Sequence, residues 1–142
     1  MPWLPKKTVV VPIDFSDESF AALATARELV ADSSALHLIH VLPYLEVTEP
    51  GVIWEAIDDA SRRKHAEDAL RERLASGDYK GAKIFIAFGD PGREVAEYAQ
   101  TSGAELIVLS SHGRTGLSRL LIGSVAERIV RLAHCPVLVL RQ

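Results

Sequence analysis

Five short stretches of the chain are almost unbroken runs of apolar residues: Thr8–Ile13, Ala35–Val41, Lys83–Phe88, Leu106–Leu109 and Val137–Leu140. They are rich in Val, Ile, Leu and Phe and show no regular alternation with polar residues. Strands covered on both faces read this way, as in a parallel sheet. At four to seven residues each, the runs are too short for buried helices. Between them the pattern changes period. Ala22, Leu23, Ala26, Leu29 and Val30 form one helical stripe, with Ser16 as its cap and Asp17 and Glu18 at the positive end of its dipole. Val125, Ala126, Ile129, Leu132 and Ala133 repeat that spacing, and Pro136 stops the helix. Trp54–Ser76 predicts a longer, charge-laced helix with a stripe of Ala66, Ala69, Leu70 and Leu74, an i,i+4 pair of Glu67 and Arg71, and Gly77 as its stop. Pro91 opens a shorter helix carrying Val95, Ala96, Tyr98 and Ala99. The order β-α-β-α-β-α-β-α-β implies right-handed crossovers and helices on both faces of a parallel sheet.

Two connections exceed the usual two to six residues, Pro43–Ile53 and Ser110–Ile122, and long connections in such folds often carry function. Ligands of open α/β sheets sit beyond the carboxyl ends of the strands, where strand order reverses. The first strand is followed by Pro12-Ile13-Asp14-Phe15-Ser16, the second by His40-Val41-Leu42-Pro43 and the third by Gly89-Asp90-Pro91-Gly92. After the fourth comes Ser110-Ser111-His112-Gly113-Arg114-Thr115-Gly116, and Gly123-Ser124 then opens the last helix. Glycines that let backbone approach an anion, hydroxyls that donate to it and a helix N-terminus together make a phosphate cradle. A surface loop ending in a cap, with Ser124 satisfying its own helix, has the same composition. The residues alone leave both readings open, since no Gly-x4-Gly-Lys-Ser/Thr loop is present and Gly113-Arg114-Thr115-Gly116 is only a fragment of Gly-x-Gly-x-x-Gly.

Composition narrows the function classes. The 142 residues suit a single domain spanning 1–142. Sixteen Lys and Arg against nineteen Asp and Glu give a net charge of −3 with no basic block, which argues against a nucleic-acid partner. Cys135 is the one cysteine, so neither a disulfide framework nor a multi-cysteine metal site is available. No apolar run approaches the roughly 20 residues of a spanning helix, and Met1–Lys7 lacks the order of a signal peptide. The expectation is a cytoplasmic protein without a membrane partner. Five histidines without ligand spacing argue against a metal site. His37 and His40 read as core or switch-point residues, His112 as loop-shaping, and Cys135 as a small buried hydrophobe.

Ser110-Ser111-His112-Gly113, nine further residues and Gly123-Ser124 closely resemble the Gly-x-x-Gly-x9-Gly-(Ser/Thr) signature of the nucleotide-binding universal stress proteins. Val11-Pro12-Ile13-Asp14-Phe15-Ser16, His40-Val41, Ser124-Val125-Ala126-Glu127-Arg128 and Cys135-Pro136-Val137-Leu138-Val139-Leu140 are similar to further segments of that family, so the resemblance covers nearly the whole chain. It implies an α/β fold, a doubly wound five-stranded parallel sheet of order 3-2-1-4-5 with helices on both faces. It also implies a site for ATP or another adenine nucleotide, with or without Mg²⁺. In that site Asp14 contacts the sugar or base, the backbone at Val41 faces the adenine, and Gly113, Gly123, Ser124 and Val125 hold the phosphates. Pro12, Ile13, Ser110, His112 and Arg114 complete the implied set.

The first glycine of the signature is Ser110 here. Were glycine needed there for a positive φ, serine would cost about 1 kcal/mol of strain. Were it needed only for clearance, serine fits and its hydroxyl is free to donate to the ligand, which is the expectation. With no Walker lysine and no paired carboxylates, a regulatory nucleotide-binding module is expected rather than an enzyme. A slow ATP hydrolase and a dimeric interaction module without nucleotide are the alternatives. A phosphoacceptor receiver domain is excluded, because Phe15 follows Asp14 and the fifth strand ends in Arg141-Gln142 rather than lysine. In the order 3-2-1-4-5 the last strand is an apolar edge, which predicts a homodimer through Val137, Leu138, Val139 and Leu140.

Overall fold

A computed structural model describes residues 2–44, 58–75, 77–112 and 122–141. Each apolar run forms a strand: β1 (Val9–Pro12), β2 (Leu36–Leu42), β3 (Lys83–Phe88), β4 (Leu106–Ser110) and β5 (Val137–Leu140). They pair in parallel in the order β3-β2-β1-β4-β5, so the doubly wound arrangement is as the family resemblance implies. The described helices are α1 (Asp17–Arg27), α2 (Asp59–Leu74), α3 (Pro91–Thr101) and α4 (Ser124–Leu132). Residues 54–57 and 76 of the expected Trp54–Ser76 helix lie outside the described residues, as does 45–53 of the long second connection. The start of α2 is fixed by Asp58, whose carboxylate accepts from the Ser61 amide at 2.7 Å. Its end is closed by Gly77 N–H donating to Leu74 O at 3.0 Å.

Side chains alternate across the sheet as strand geometry requires. Val9, Val11, Leu36, Leu38, Leu106 and Val108 face one layer with Ala22, Leu23 and Ala26 of α1 and Leu70 of α2. Val10, Ile39, Ala87, Ile107 and Leu109 face the other, with Val95 and Ala99 of α3 and Ala126 and Ile129 of α4. The α1 stripe overshoots its helix: Arg27 is the last helical residue, yet Val30 still packs into the core while forming a lone bridge to Lys6. The 3-10 turn Ser33–Ala35 has no hydrophobic period to betray it; Asp32 holds it by accepting from the Ser34 amide at 2.8 Å. Among the described helices none is long and apolar enough to cross a membrane.

The charge-laced α2 is the solvated helix its pattern implies. Leu70 is its one buried residue among those described, and Lys64–Asp68 and Arg71–Glu67 pair along its exposed side at 3.0 and 2.8 Å. Leu70, fully buried at 0% exposure, is the main anchor of α2, with Leu74 packed against the same core. Leu70→Ala is expected to lower the unfolding free energy by about 2–5 kcal/mol. Glu67→Ala, which removes only an exposed ion pair, should cost under about 0.5 kcal/mol. Urea midpoints of the two variants measure the difference.

Candidate functional site

The register shows where the sheet opens. The β1–β4 pairing includes Val9↔Leu106 and Val10↔Ile107 and stops there. On its other side β1 stays paired through Pro12↔Ile39, and Ile13 N–H continues the ladder onto Ile39 O at 2.8 Å. Similarly β4 stays with β5 through Ser110↔Leu140, and Ser111 N–H donates to Leu140 O at 2.8 Å. Beyond Val10 the two central strands thus follow different neighbours, and the crevice expected at a reversal of strand order lies between them.

A cavity of about 270 Å³ occupies that crevice. Its walls come from Pro12 at the end of β1, from Ile13 and Asp14 after it, from Val41 of β2, from Ser110 of β4 and from Gly123, Ser124 and Val125 at the start of α4. These eight predicted residues come together around one space. His112 adjoins the cavity through Ser110 and Ser111. Gly113 and Arg114, with the rest of 113–121, lie outside the described residues. Ser111, Pro91 and His40, which the sequence placed after the fourth, third and second strands without assigning them to the site, also line it, and sequence reasoning missed Ser19, Ile39, Val95, Leu109, Ala126 and Ile129. Apolar members such as Ile39 and Ile129 carry no mark that separates a cavity wall from ordinary core.

Asp14 sits in a tight turn. Its Oδ1 accepts from the Ser16 amide at 3.0 Å and from Ser16 Oγ at 2.5 Å. Ser16, not Asp14, caps α1, accepting from the Ser19 amide at 3.1 Å. The residue between them, Phe15, has φ 65°, a left-handed conformation that a bulky side chain rarely adopts.

Ser110 meets one half of its expectation and departs from the other. Its backbone is not in the left-handed region, where Phe15 is the single non-glycine among the described residues, so serine carries no such strain. Its hydroxyl does not stand free for a ligand either. It donates to His112 O at 2.6 Å and shapes the exit of β4. His112 is tied into the same turn, with Nδ1 3.1 Å from Ser111 Oγ, while its buried Nε2 has no hydrogen-bond partner among the described residues. Gly123 closes against this turn. Its N–H donates to Ser111 O at 2.6 Å, and a Cβ built on it would stand 2.9 Å from that same oxygen. At φ −66° its conformation suits any residue, so clearance is what demands glycine here.

The described helices differ at their N-termini. Ser16, Asp58 and Asp90 each place a side-chain oxygen on the first turn of α1, α2 and α3. The N-cap of α4 is Gly123, with no side-chain cap among the described residues, so Ser124 lies inside the helix and does not serve as its cap. The first-turn amides of α4, those of Ser124, Val125 and Ala126, belong to residues lining the cavity. An uncapped N-terminus there offers N–H donors and the positive end of the dipole to an anion. Gly89-Asp90-Pro91-Gly92 braces this arrangement. Asp90 accepts from the Arg93 amide at 2.9 Å and pairs with Arg128 Nε of α4 at 2.8 Å, and Gly92 makes room for the Arg128 stem. Among the described residues no three His, Cys, Asp or Glu side chains are grouped to hold a metal. Cys135 is half-buried against the α3–α4 layer, and desolvation pushes its thiol above the ordinary range, as for a small hydrophobe.

Residues 6–141 match the model of the Universal stress protein family. Universal stress protein MJ0531 of Methanocaldococcus jannaschii is 36% identical over 96% of this chain and 82% of its own length. The solved universal stress protein UspA from Lactobacillus plantarum is 28% identical with a TM-score of 0.73, covering 96% of this chain and 99% of that one. A universal stress protein solved in complex with cAMP shares the fold at a TM-score of 0.63 and 23% identity, over 96% of this chain and 98% of its own.

The contact at Gly123 makes a direct test of this geometry. Gly123→Ala forces its Cβ onto a backbone oxygen and is expected to destabilise the protein by about 1–3 kcal/mol. Ser124→Ala, at a position that caps nothing, should change stability by less than about 0.5 kcal/mol. Thermal unfolding of both variants gives the comparison; a larger loss for Ser124→Ala would make Ser124 the true cap.

Proposed function

The chain belongs to the universal stress protein family, and from that premise we propose that it is a regulatory module binding ATP or another adenine nucleotide between β1 and β4. The observation that carries the reading is the uncapped start of α4 at a cavity whose opposite walls are largely apolar. Phosphates need N–H donors and positive potential, which the α4 terminus supplies. A purine needs a flat apolar slot with a few polar groups to orient it. Pro12, Ile13, Ile39 and Val41 make such a wall, and the Asp14 carboxylate stands at its edge as an acceptor for sugar or base. The relative solved with cAMP holds an adenine nucleotide on the same fold. Binding without turnover is the better reading, because the described cavity residues include one carboxylate, Asp14, and no lysine.

Isothermal calorimetry with ATP, AMP and GTP tests this. ATP and AMP should bind and GTP should bind at least tenfold more weakly, since its purine offers different edge groups to the same wall. Absence of heat with any adenine nucleotide would leave the chain an interaction module.

We further propose that the module is a homodimer paired through β5. This strand is an edge of the sheet, carries no charge, and all four of its residues are only half-buried. On α4, whose Ala126 and Ile129 share a core layer with Val137 and Val139, Val125, Val130 and Leu132 are exposed at 42, 47 and 37%. An open apolar edge recruits another strand, and two-fold pairing closes it. Light scattering should report about twice the 15.5 kDa chain mass. Leu138→Lys should return the mass to that of one chain.

A further inference from the structure

Phe15 adopts the left-handed backbone conformation without being glycine, asparagine or aspartate, so something must hold it there. One side chain of the neighbouring strand touches both residues that flank Asp14. His40 Nδ1 lies 2.6 Å from Ile13 O, and its ring meets the Phe15 ring edge to face at 4.9 Å between centroids, with 81° between planes. A carbonyl oxygen only accepts, so Nδ1 carries the hydrogen and donates it. Phe15 is supported from a second direction by Phe20 at 6.1 Å, whereas the Ile13 carbonyl takes its side-chain hydrogen bond from His40. We propose that His40 is a positioning residue for the Asp14 site: its imidazole fixes the turn on both sides of Asp14 and thereby aims the Asp14 carboxylate at the ligand. This rests on the nucleotide reading above for its ligand, but not for its geometry.

Ile13 continues the β1–β2 ladder onto Ile39 O, and the chain leaves the sheet at Asp14. From there it must turn into α1 within two residues, since Ser16 is already the cap. The Asp14–Ser16 bonds tie the carboxylate to the turn itself, so the direction of Oδ1 follows the turn's orientation on the sheet. That orientation is set where the turn touches β2, and His40 makes that contact while also lining the cavity.

Four variants separate this from a general packing role. Asn carries an amide donor near the place of Nδ1, Gln reaches instead toward the place of Nε2, and Phe keeps the ring without a donor. His40→Phe and His40→Gln are expected to weaken ATP binding about tenfold, and His40→Asn to stay within about threefold of the parent. In an Asp14→Ala background His40→Phe should change affinity less than twofold, because the group it aims is gone. An equal loss in that background, or equal affinities for the Asn and Gln variants, would overturn the proposal. Amide hydrogen exchange provides a readout independent of nucleotide. The Ser16 amide, which donates to Asp14, should exchange about tenfold faster in His40→Phe than in the parent, while the Ile107 amide of β4 holds its rate. Should no adenine nucleotide bind the parent, that exchange result still decides: a faster Ser16 amide supports His40 as the holder of the turn, and an unchanged one overturns it.

Discussion

Val9, Val10 and Val11 are each completely shielded from water, and the rest of the molecule follows from keeping them so. Alternation sends Val9 and Val11 to one face of the sheet and Val10 to the other, so neither face can be left to solvent. The chain covers the first face with α1 and α2 and the second with α3 and α4. Right-handed crossovers can lay helices on both faces only if the chain winds outward from the centre in one direction and then returns to wind in the other. Hence β2 and β3 lie on one side of β1, and β4 and β5 on the other. The two strands flanking the reversal send their continuations to opposite faces, and the cavity is what remains between them. Its position is a consequence of burying three valines.

What the cavity can bind depends on how its two sides were finished. On the β4 side, the approach of Gly123 to Ser111 O brings the α4 terminus down onto the strand end. Leaving that terminus without a side-chain cap forgoes about 1 kcal/mol that α1, α2 and α3 each secure from Ser or Asp. The Asp90–Arg128 pair and the packing of Arg128 over Gly92 restore some of the hold on α4 from outside the cavity. On the β1 side, the Asp14–Ser16 bonds and the left-handed Phe15 hold a carboxylate at the crevice mouth. Each lip carries a local cost, the missing side-chain cap at α4 and the left-handed backbone of Phe15 at β1.

Strands were the most legible part of the chain. The runs at Lys83–Phe88 and Val137–Leu140 coincide with β3 and β5 although both are edge strands, while the central β1 and β4, dry on both faces, have no choice but continuous apolar sequence. The helical stripes located every described helix but blurred their ends, as at Val30, where burial continues past the last helical turn. The Gly123-Ser124 opening of α4 was visible from glycine and hydroxyl spacing, though not that Gly123 faces a neighbouring carbonyl. Ser110 was harder. Sequence could say that glycine had been replaced, but only coordinates show the hydroxyl turned onto His112 O. His40 read as a core or switch-point residue with no role attached, since its role depends on a contact between β2 and the end of β1 that no local spacing encodes. Phe15 had no signature at all beyond the Asp-x-Ser turn around it.

The two edges of the sheet are finished differently, and the difference bears on how site and assembly connect. At the β3 edge Lys83 supplies a charge, and Phe85, although 43% exposed, stacks on Tyr98 at 4.7 Å. Tyr98 in turn bonds His37 at 2.7 Å, so that edge is tied back into the α3 layer. Charge and side-chain cover are how edge strands avoid pairing with other chains. The β5 edge has neither: Val137 and Val139 lean to one layer, Leu138 and Leu140 to the other, and none is charged. That same strand is bonded along its length to β4, down to the Ser111 N–H on Leu140 O, one residue before the His112 turn. A strand added at β5 would therefore stiffen the ladder that carries Ser110 and Ser111, and a ligand ordering those residues would stiffen the ladder from its other end. If the cavity is occupied and the edge paired as proposed, both would act on one shared set of backbone hydrogen bonds, which is the physical requirement for either to report on the other.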